Sequence, residues 1–197
     1  MILYLHGFLS SGKSFKGQWM KAKFAPLGIE VLTPTYPIAE PQKTAMAIES
    51  EIKAAGLDKK SASPWCIMGS SMGGFWGQYF AQKYQVPLLM INPALNPTET
   101  LAPYLGTHAN PATAEVFHLT QRYLKALKGY ACHPSDAIDY LILLDKGDEV
   151  IPYQQAKVAF EKMAKVRVFE GGDHGFQHLE AAWPDIQKFV HHAGVFD

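Results

Sequence analysis

Gly69-Ser70-Ser71-Met72-Gly73 is the stretch of this chain whose residue types and spacing are best suited to chemistry. A serine with glycine two residues away on either side fits a tight, strained turn that holds its hydroxyl clear of the backbone. Larger residues at those two places would collide. Ser71 meets this condition, whereas Ser70 has Met68 and Met72 there. Random placement of this composition gives about 0.06 such motifs per chain. The alternative is a glycine-rich turn that only reverses the chain.

A serine hydroxyl becomes a nucleophile when a base takes its proton and an acid orients that base. Glu170-Gly171-Gly172-Asp173-His174-Gly175 offers His174 as the base, and His178, a helical turn further on, is the alternative. Asp145-Lys146-Gly147-Asp148-Glu149-Val150 offers three carboxylates. Asp148 is expected to be the acid, because it follows a glycine and precedes a short apolar segment. Asp145 is the runner-up and otherwise reads as a solvated turn residue; Glu149 is expected to point away. The oxyanion of an attacked carbonyl would need two N–H donors. Met72, at the positive end of the following helix, supplies one. Phe8, after His6-Gly7, supplies the other, with the His6 side chain itself read as structural.

These residues must be carried by a frame. Short apolar runs alternate with longer amphipathic ones, the βαβ rhythm of a parallel sheet covered by helices. Strands are expected at Ile2–Leu5, Glu30–Thr33, Trp65–Met68, Leu88–Ile91, Tyr140–Leu144 and Val166–Phe169. Helices are expected near Phe15–Ala25, Lys43–Ala55, Gly73–Tyr84, Tyr153–Met163 and Leu179–His191. Every candidate site residue then falls just after a strand. Gly74 and Gly77 would each cost about 1 kcal/mol in a helix unless it packs closely on the sheet. Residues 95–135, rich in proline and interrupted by Gly106 and Gly129, are too long for a plain loop and read as a lid or helical excursion. An apolar pocket made by Phe8, Trp19, Phe75, Trp76 and this excursion would suit an acyl chain, but such aromatics are more often simply core.

Composition narrows the function classes. Eighteen basic residues balance eighteen acidic ones, so no global field favours nucleic acid or an anionic membrane. Cys66 and Cys132 make neither a disulfide framework nor a metal or redox spacing, and Cys66 reads as a buried small residue. No P-loop, dinucleotide fingerprint or H-E-x-x-H occurs, so no cofactor and no metal is expected. The run Met1–Leu5 is too short for a signal peptide, and no stretch reaches the roughly 20 apolar residues of a membrane span. A cytoplasmic location is the expectation.

Together the motifs resemble the YqiA- and YcfP-like esterases, a branch of small bacterial α/β hydrolases. The resemblance rests on Tyr4-Leu5-His6-Gly7-Phe8, Gly69-Ser70-Ser71-Met72-Gly73-Gly74, Asn92-Pro93-Ala94, Tyr104-Leu105-Gly106 with Asn110-Pro111, Gly147-Asp148-Glu149-Val150 and Gly171-Gly172-Asp173-His174. It implies a carboxylesterase, or a thioesterase, with a triad of Ser71, Asp148 and His174 and a small-molecule ester or thioester as substrate. It also implies one compact α/β-hydrolase domain over residues 1–197, with 95–135 as a lid-like helical excursion. About six mainly parallel strands in the order 2-1-3-4-5-6 are expected by analogy. The leading antiparallel strands are expected to be absent, since the chain begins at the oxyanion-loop strand. A serine peptidase, or a non-catalytic binding protein that retains the fold, are the alternatives.

Overall fold

The computed structural model describes residues 1–59 and 62–195; residues 60, 61, 196 and 197 of the expected domain lie outside them. In chain order its elements are β1 (Ile2–Leu5), α1 (Phe15–Phe24), β2 (Val31–Leu32), α2 (Pro41–Ala54), β3 (Cys66–Ser70), α3 (Met72–Tyr84), β4 (Leu88–Ile91) and α4 (Pro97–Leu101). There follow β5 (Gly106–Ala109), β6 (Val116–Leu119), α5 (Gln121–Leu127), β7 (Tyr140–Asp145), α6 (Tyr153–Phe160), β8 (Lys165–Phe169) and α7 (Leu179–His192).

β1, β3, β4 and β7 are buried along their whole lengths, as continuous apolar runs covered on both faces should be. They form the middle of a six-stranded sheet ordered β2-β1-β3-β4-β7-β8, in which every neighbouring pair is parallel. With the β5–β6 pair set aside, this is the order 2-1-3-4-5-6 and the α/β-hydrolase architecture that the resemblance implies. Side chains alternate between two cores. Leu3, Leu5, Ile67, Leu88 and Ile142 face α2, α3, α5 and α6, where they meet Ile48, Ile52, Phe80, Leu127 and Phe160. Ile2, Tyr4, Met68, Leu89 and Leu141 face α1 and α7, where Met20, Phe24, Ala182, Ile186 and Val190 cover them. α3 sits close to the sheet: a β-carbon at Gly77 would lie 2.8 Å from Leu88 Cδ1, which explains a glycine inside that helix.

Some boundaries differ from expectation. β2 keeps two residues of the expected four, because Pro34 and Pro37 follow it and cannot extend the ladder. α6 stops at Phe160, whose carbonyl accepts from the N–H groups of both Met163 and Ala164 and turns the chain toward β8. β3 and β7 run on to Ser70 and Asp145, so the chemistry-bearing loops start one or two residues later than the apolar pattern suggested.

The excursion at 95–135 is not purely helical. Besides α4 and α5 it holds the antiparallel pair β5–β6, paired from Gly106↔Leu119 to Ala109↔Val116. Polar contacts tie this hairpin to the body. Buried Asn110 donates through Nδ2 to the Ser10 carbonyl at 2.9 Å, and the Glu115 carboxylate accepts from the N–H groups of Ile38 and Ala39 at 3.2 and 3.3 Å. The Tyr123 hydroxyl donates to the Ile38 carbonyl at 2.9 Å. Among the described residues, no helix is long and apolar enough to cross a membrane.

Candidate active site

All the candidate site residues gather at the carboxyl edge of the sheet, where parallel α/β sheets open a crevice. Ser71, between β3 and α3, has φ 55° and ψ −121°, a left-handed conformation that costs a non-glycine residue about 1–3 kcal/mol. Its N–H donates to the Ile91 carbonyl at 3.0 Å, and its carbonyl accepts from Gly74 and Ala94 at 2.9 and 3.0 Å. The flanking glycines are required sterically: a β-carbon at Gly69 would lie 2.2 Å from the Gly73 carbonyl oxygen, and one at Gly73 would lie 2.0 Å from that of Leu5.

His174 reaches this turn from the loop after β8. Its Nε2 lies 3.0 Å from Ser71 Oγ, and its Nδ1 lies 3.0 and 2.9 Å from the two carboxylate oxygens of Asp148. With Nδ1–H donating to Asp148, Nε2 is left to accept the Ser71 hydroxyl proton. The Asp148 side chain is 1% exposed, and its Oδ1 also accepts from the N–H groups of Val150 and Ile151 at 2.9 and 2.8 Å. A hydroxyl, an imidazole and a buried carboxylate therefore stand in one hydrogen-bonded row. Chemically, such a row can move a proton off the hydroxyl.

The loop after β1 closes over the same point. A β-carbon at Gly7 would lie 3.3 Å from Ser71 Cβ, so the backbone that carries Phe8 runs directly against the serine turn. Phe8 and Met72 line a cavity of about 240 Å³ together with Ser71, His174 and several apolar side chains. Of the other aromatics weighed for it, Phe75 and Trp76 take the core alternative and lie buried against each other, and Trp19 packs on Trp183. The cavity takes its remaining wall from Leu9, Ala94, Thr100, Leu101, Tyr104, His108 and Val150 instead.

His6 is structural, as expected. It is fully buried, its Nδ1 donates to the Gly7 carbonyl at 2.8 Å, and its ring stacks on Tyr36 at 3.9 Å. Burial lowers its pKa from the ordinary 6.5 to about 4. Between those two values the unfolded chain binds a proton that the folded chain refuses. The fold therefore keeps this stability above about pH 6.5 and loses it as the pH falls toward 4, by at most about 1.4 kcal/mol per pH unit. Denaturant midpoints at pH 7 and pH 4.5 should fall further in the wild type than in His6→Gln; an equal fall in both would refute the assignment.

Three neighbouring groups stand otherwise than the sequence suggested. Asp145 is no solvated turn residue: it is fully buried, and its carboxylate accepts from His178 Nδ1 at 2.7 Å and the Gln177 N–H at 2.8 Å. Glu149 does not point away, since its Oε2 accepts the His174 N–H at 3.0 Å. Asn92 was not singled out as a site residue, yet it links three loops. Its Oδ1 accepts from the Asp145 N–H at 2.9 Å, while Nδ2 donates to the Asp173 and His174 carbonyls at 3.0 and 3.4 Å. Its position directly after β4, at the same sheet edge, was the available signal.

The model of the family described as Uncharacterised protein family (UPF0227) matches residues 1–191. The chain belongs to the UPF0227 family. A UPF0227 protein of Shewanella woodyi is 22% identical over 189 residues, which cover 96% of this chain and 98% of that one. Among solved structures, this UPF0227 chain is similar to Est1E from Butyrivibrio proteoclasticus, with a TM-score of 0.77 at 16% identity over 98% of this chain and 87% of that one. It is similar also to mouse alpha/beta hydrolase domain-containing protein 10, with a TM-score of 0.72 at 16% identity over 97% and 89%. An esterase from Pyrococcus furiosus matches with a TM-score of 0.66 at 13% identity over 97% and 81%. Likeness at these identities establishes a shared α/β-hydrolase fold for the UPF0227 chain.

Proposed function

We propose that this protein is a serine hydrolase that cleaves a small carboxylic ester or thioester through Ser71, His174 and Asp148. One observation carries the reading: a single imidazole, His174, bridges a hydroxyl on a strained turn and a buried carboxylate. In the reaction, His174 Nε2 takes the Ser71 proton as Oγ attacks the carbonyl carbon. Asp148 holds the ring in the required tautomer and stabilises the imidazolium that forms. The N–H groups of Phe8 and Met72 stabilise the oxyanion. His174 then protonates the leaving alcohol or thiol, and the acyl-enzyme is released by water activated on the same imidazole. Relatives of the same fold described as esterases support this direction.

Residues 1–197 are read as one domain, in which 95–135 make a lid-like cover: Leu101, Tyr104 and His108 come from that segment and close the cavity over Ser71. At about 240 Å³ the cavity lies below the roughly 300–1,000 Å³ usual for drug-sized ligands, so it suits a small acyl group. Turnover of p-nitrophenyl esters should accordingly be best for short and medium acyl chains and fall about tenfold or more by dodecanoyl. Ferulic acid is bound in one structure of Est1E, so an ester with an aromatic acyl group belongs in the same series. Thioester and peptide substrates and a fluorophosphonate probe complete the test. Peptide cleavage without ester cleavage would make the protein a peptidase, and a Ser71 inert to the probe would make it a binding protein.

A further inference from the structure

Beside the Asp148–His174 pair lies a second aspartate–histidine pair, made by the end of β7 and the loop that carries His174. Asp145 stands three residues before Asp148, and His178 stands four after His174. The second pair does not line the cavity. We propose that Asp145 and His178, with Asn92, are positioning residues that hold the His174 loop at the distance Ser71 requires. This inference rests on the serine-hydrolase reading.

The loop from β8 to α7 needs such a hold. It runs through Gly171 and Gly172, both at positive φ, and has no regular structure before Leu179. The Asp145 carboxylate grips it on both sides of His174. Oδ2 accepts from the Asp173 N–H at 3.4 Å and the Gln177 N–H at 2.8 Å, and Oδ1 accepts from His178 Nδ1 at 2.7 Å. A β-carbon at Gly172 would lie 1.8 Å from Oδ2, so the carboxylate fills the place of a side chain there. Asn92 ties the same two units from the other direction, through the Asp145 N–H and the carbonyls of Asp173 and His174.

His178 makes the grip stiff. Its ring stacks on Phe169, the last residue of β8, with centroids 5.0 Å apart and planes at 11°. The imidazole therefore joins the end of β7 to the end of β8 through one flat, packed group. Release of that ring removes one of the three bonds by which Asp145 holds residues 173–178 and lets His174 drift from Ser71. A misplacement of about 1 Å in a reacting group can cost about a hundredfold in rate.

The test compares His178→Leu with His178→Asn in the full-length protein. Asparagine can place Nδ2 where the imidazole Nδ1 lies and keep the bond to Asp145; leucine cannot. With a p-nitrophenyl ester, leucine should lower kcat about 10- to 100-fold with KM changed less than about twofold, and asparagine should restore kcat to within about threefold of wild type. In proton NMR the wild type should show a far-downfield imidazole N–H signal from each of His174 and His178. Leucine should remove the second and shift or broaden the first. A leucine variant with wild-type kcat, or one whose His174 signal stays unmoved while kcat falls and KM rises, overturns the proposal. If the wild type neither turns over esters nor reacts with a fluorophosphonate, the hydrolase reading fails separately. The response of the His174 signal then still decides whether His178 positions that ring.

Discussion

Ser71→Ala is expected to lower ester turnover by about four to six orders of magnitude and to leave the fold intact. The Ser71 Oγ bonds to His174 Nε2 at the mouth of the cavity, so its removal opens no void in either core. The bonds that hold the turn in its strained conformation run through the backbone N–H and carbonyl of residue 71, which alanine retains. Alanine at φ 55° carries about the same strain as serine. Thermal unfolding should therefore coincide within a few degrees, and KM for any residual activity should change little. Ser71→Gly offers a second check. Glycine relieves about 1 kcal/mol or more of that strain, so this variant should be as inactive as alanine and at least as stable. An alanine variant with wild-type turnover would remove Ser71 from the mechanism, whatever its stability.

Much of this site could be read from residue types alone, for a physical reason. Strands buried on both faces write themselves as unbroken apolar runs, so Ile2–Leu5 and Leu88–Ile91 stand where the pattern put them. The serine turn is equally local: its demand for glycine at 69 and 73 comes from atoms within five residues and from the end of β1. What could not be read is set by contacts between distant loops. A carboxylate in a turn normally meets water. Asp145 is buried because a loop about 30 residues away folds its N–H groups over it. Phe75 and Trp76 follow the serine closely in sequence, but α3 carries both side chains into the core and away from the cavity. The β5–β6 hairpin alternates in burial as a half-exposed strand pair does. Its four-residue strands are too short to stand out among the prolines and helical turns around them.

The two aspartates that competed in the sequence are separated by what each would lose as an amide. In Asp148→Asn, the carbonyl oxygen can keep the place of Oδ1 and go on accepting from Val150 and Ile151, so the acid loop retains its shape. The amide nitrogen then faces His174 Nδ1 and donates to it. That leaves the proton on Nε2, which points at Ser71 Oγ and can no longer accept from it. The tautomer is wrong for catalysis, and kcat should fall about 10⁴-fold with stability nearly unchanged. Asp145→Asn fails differently. All three groups around that carboxylate are N–H donors, so an amide sets a donor against a donor or forces His178 to reverse its tautomer. The cost falls mainly on the fold, about 1–3 kcal/mol, with a rate loss of about a hundredfold or less through the displaced His174 loop. Melting curves and kcat measured together on the two variants distinguish these outcomes. If Asp145→Asn proved the slower enzyme and Asp148→Asn the less stable one, the acid of the triad would be Asp145 and the row through Asp148 a structural bond.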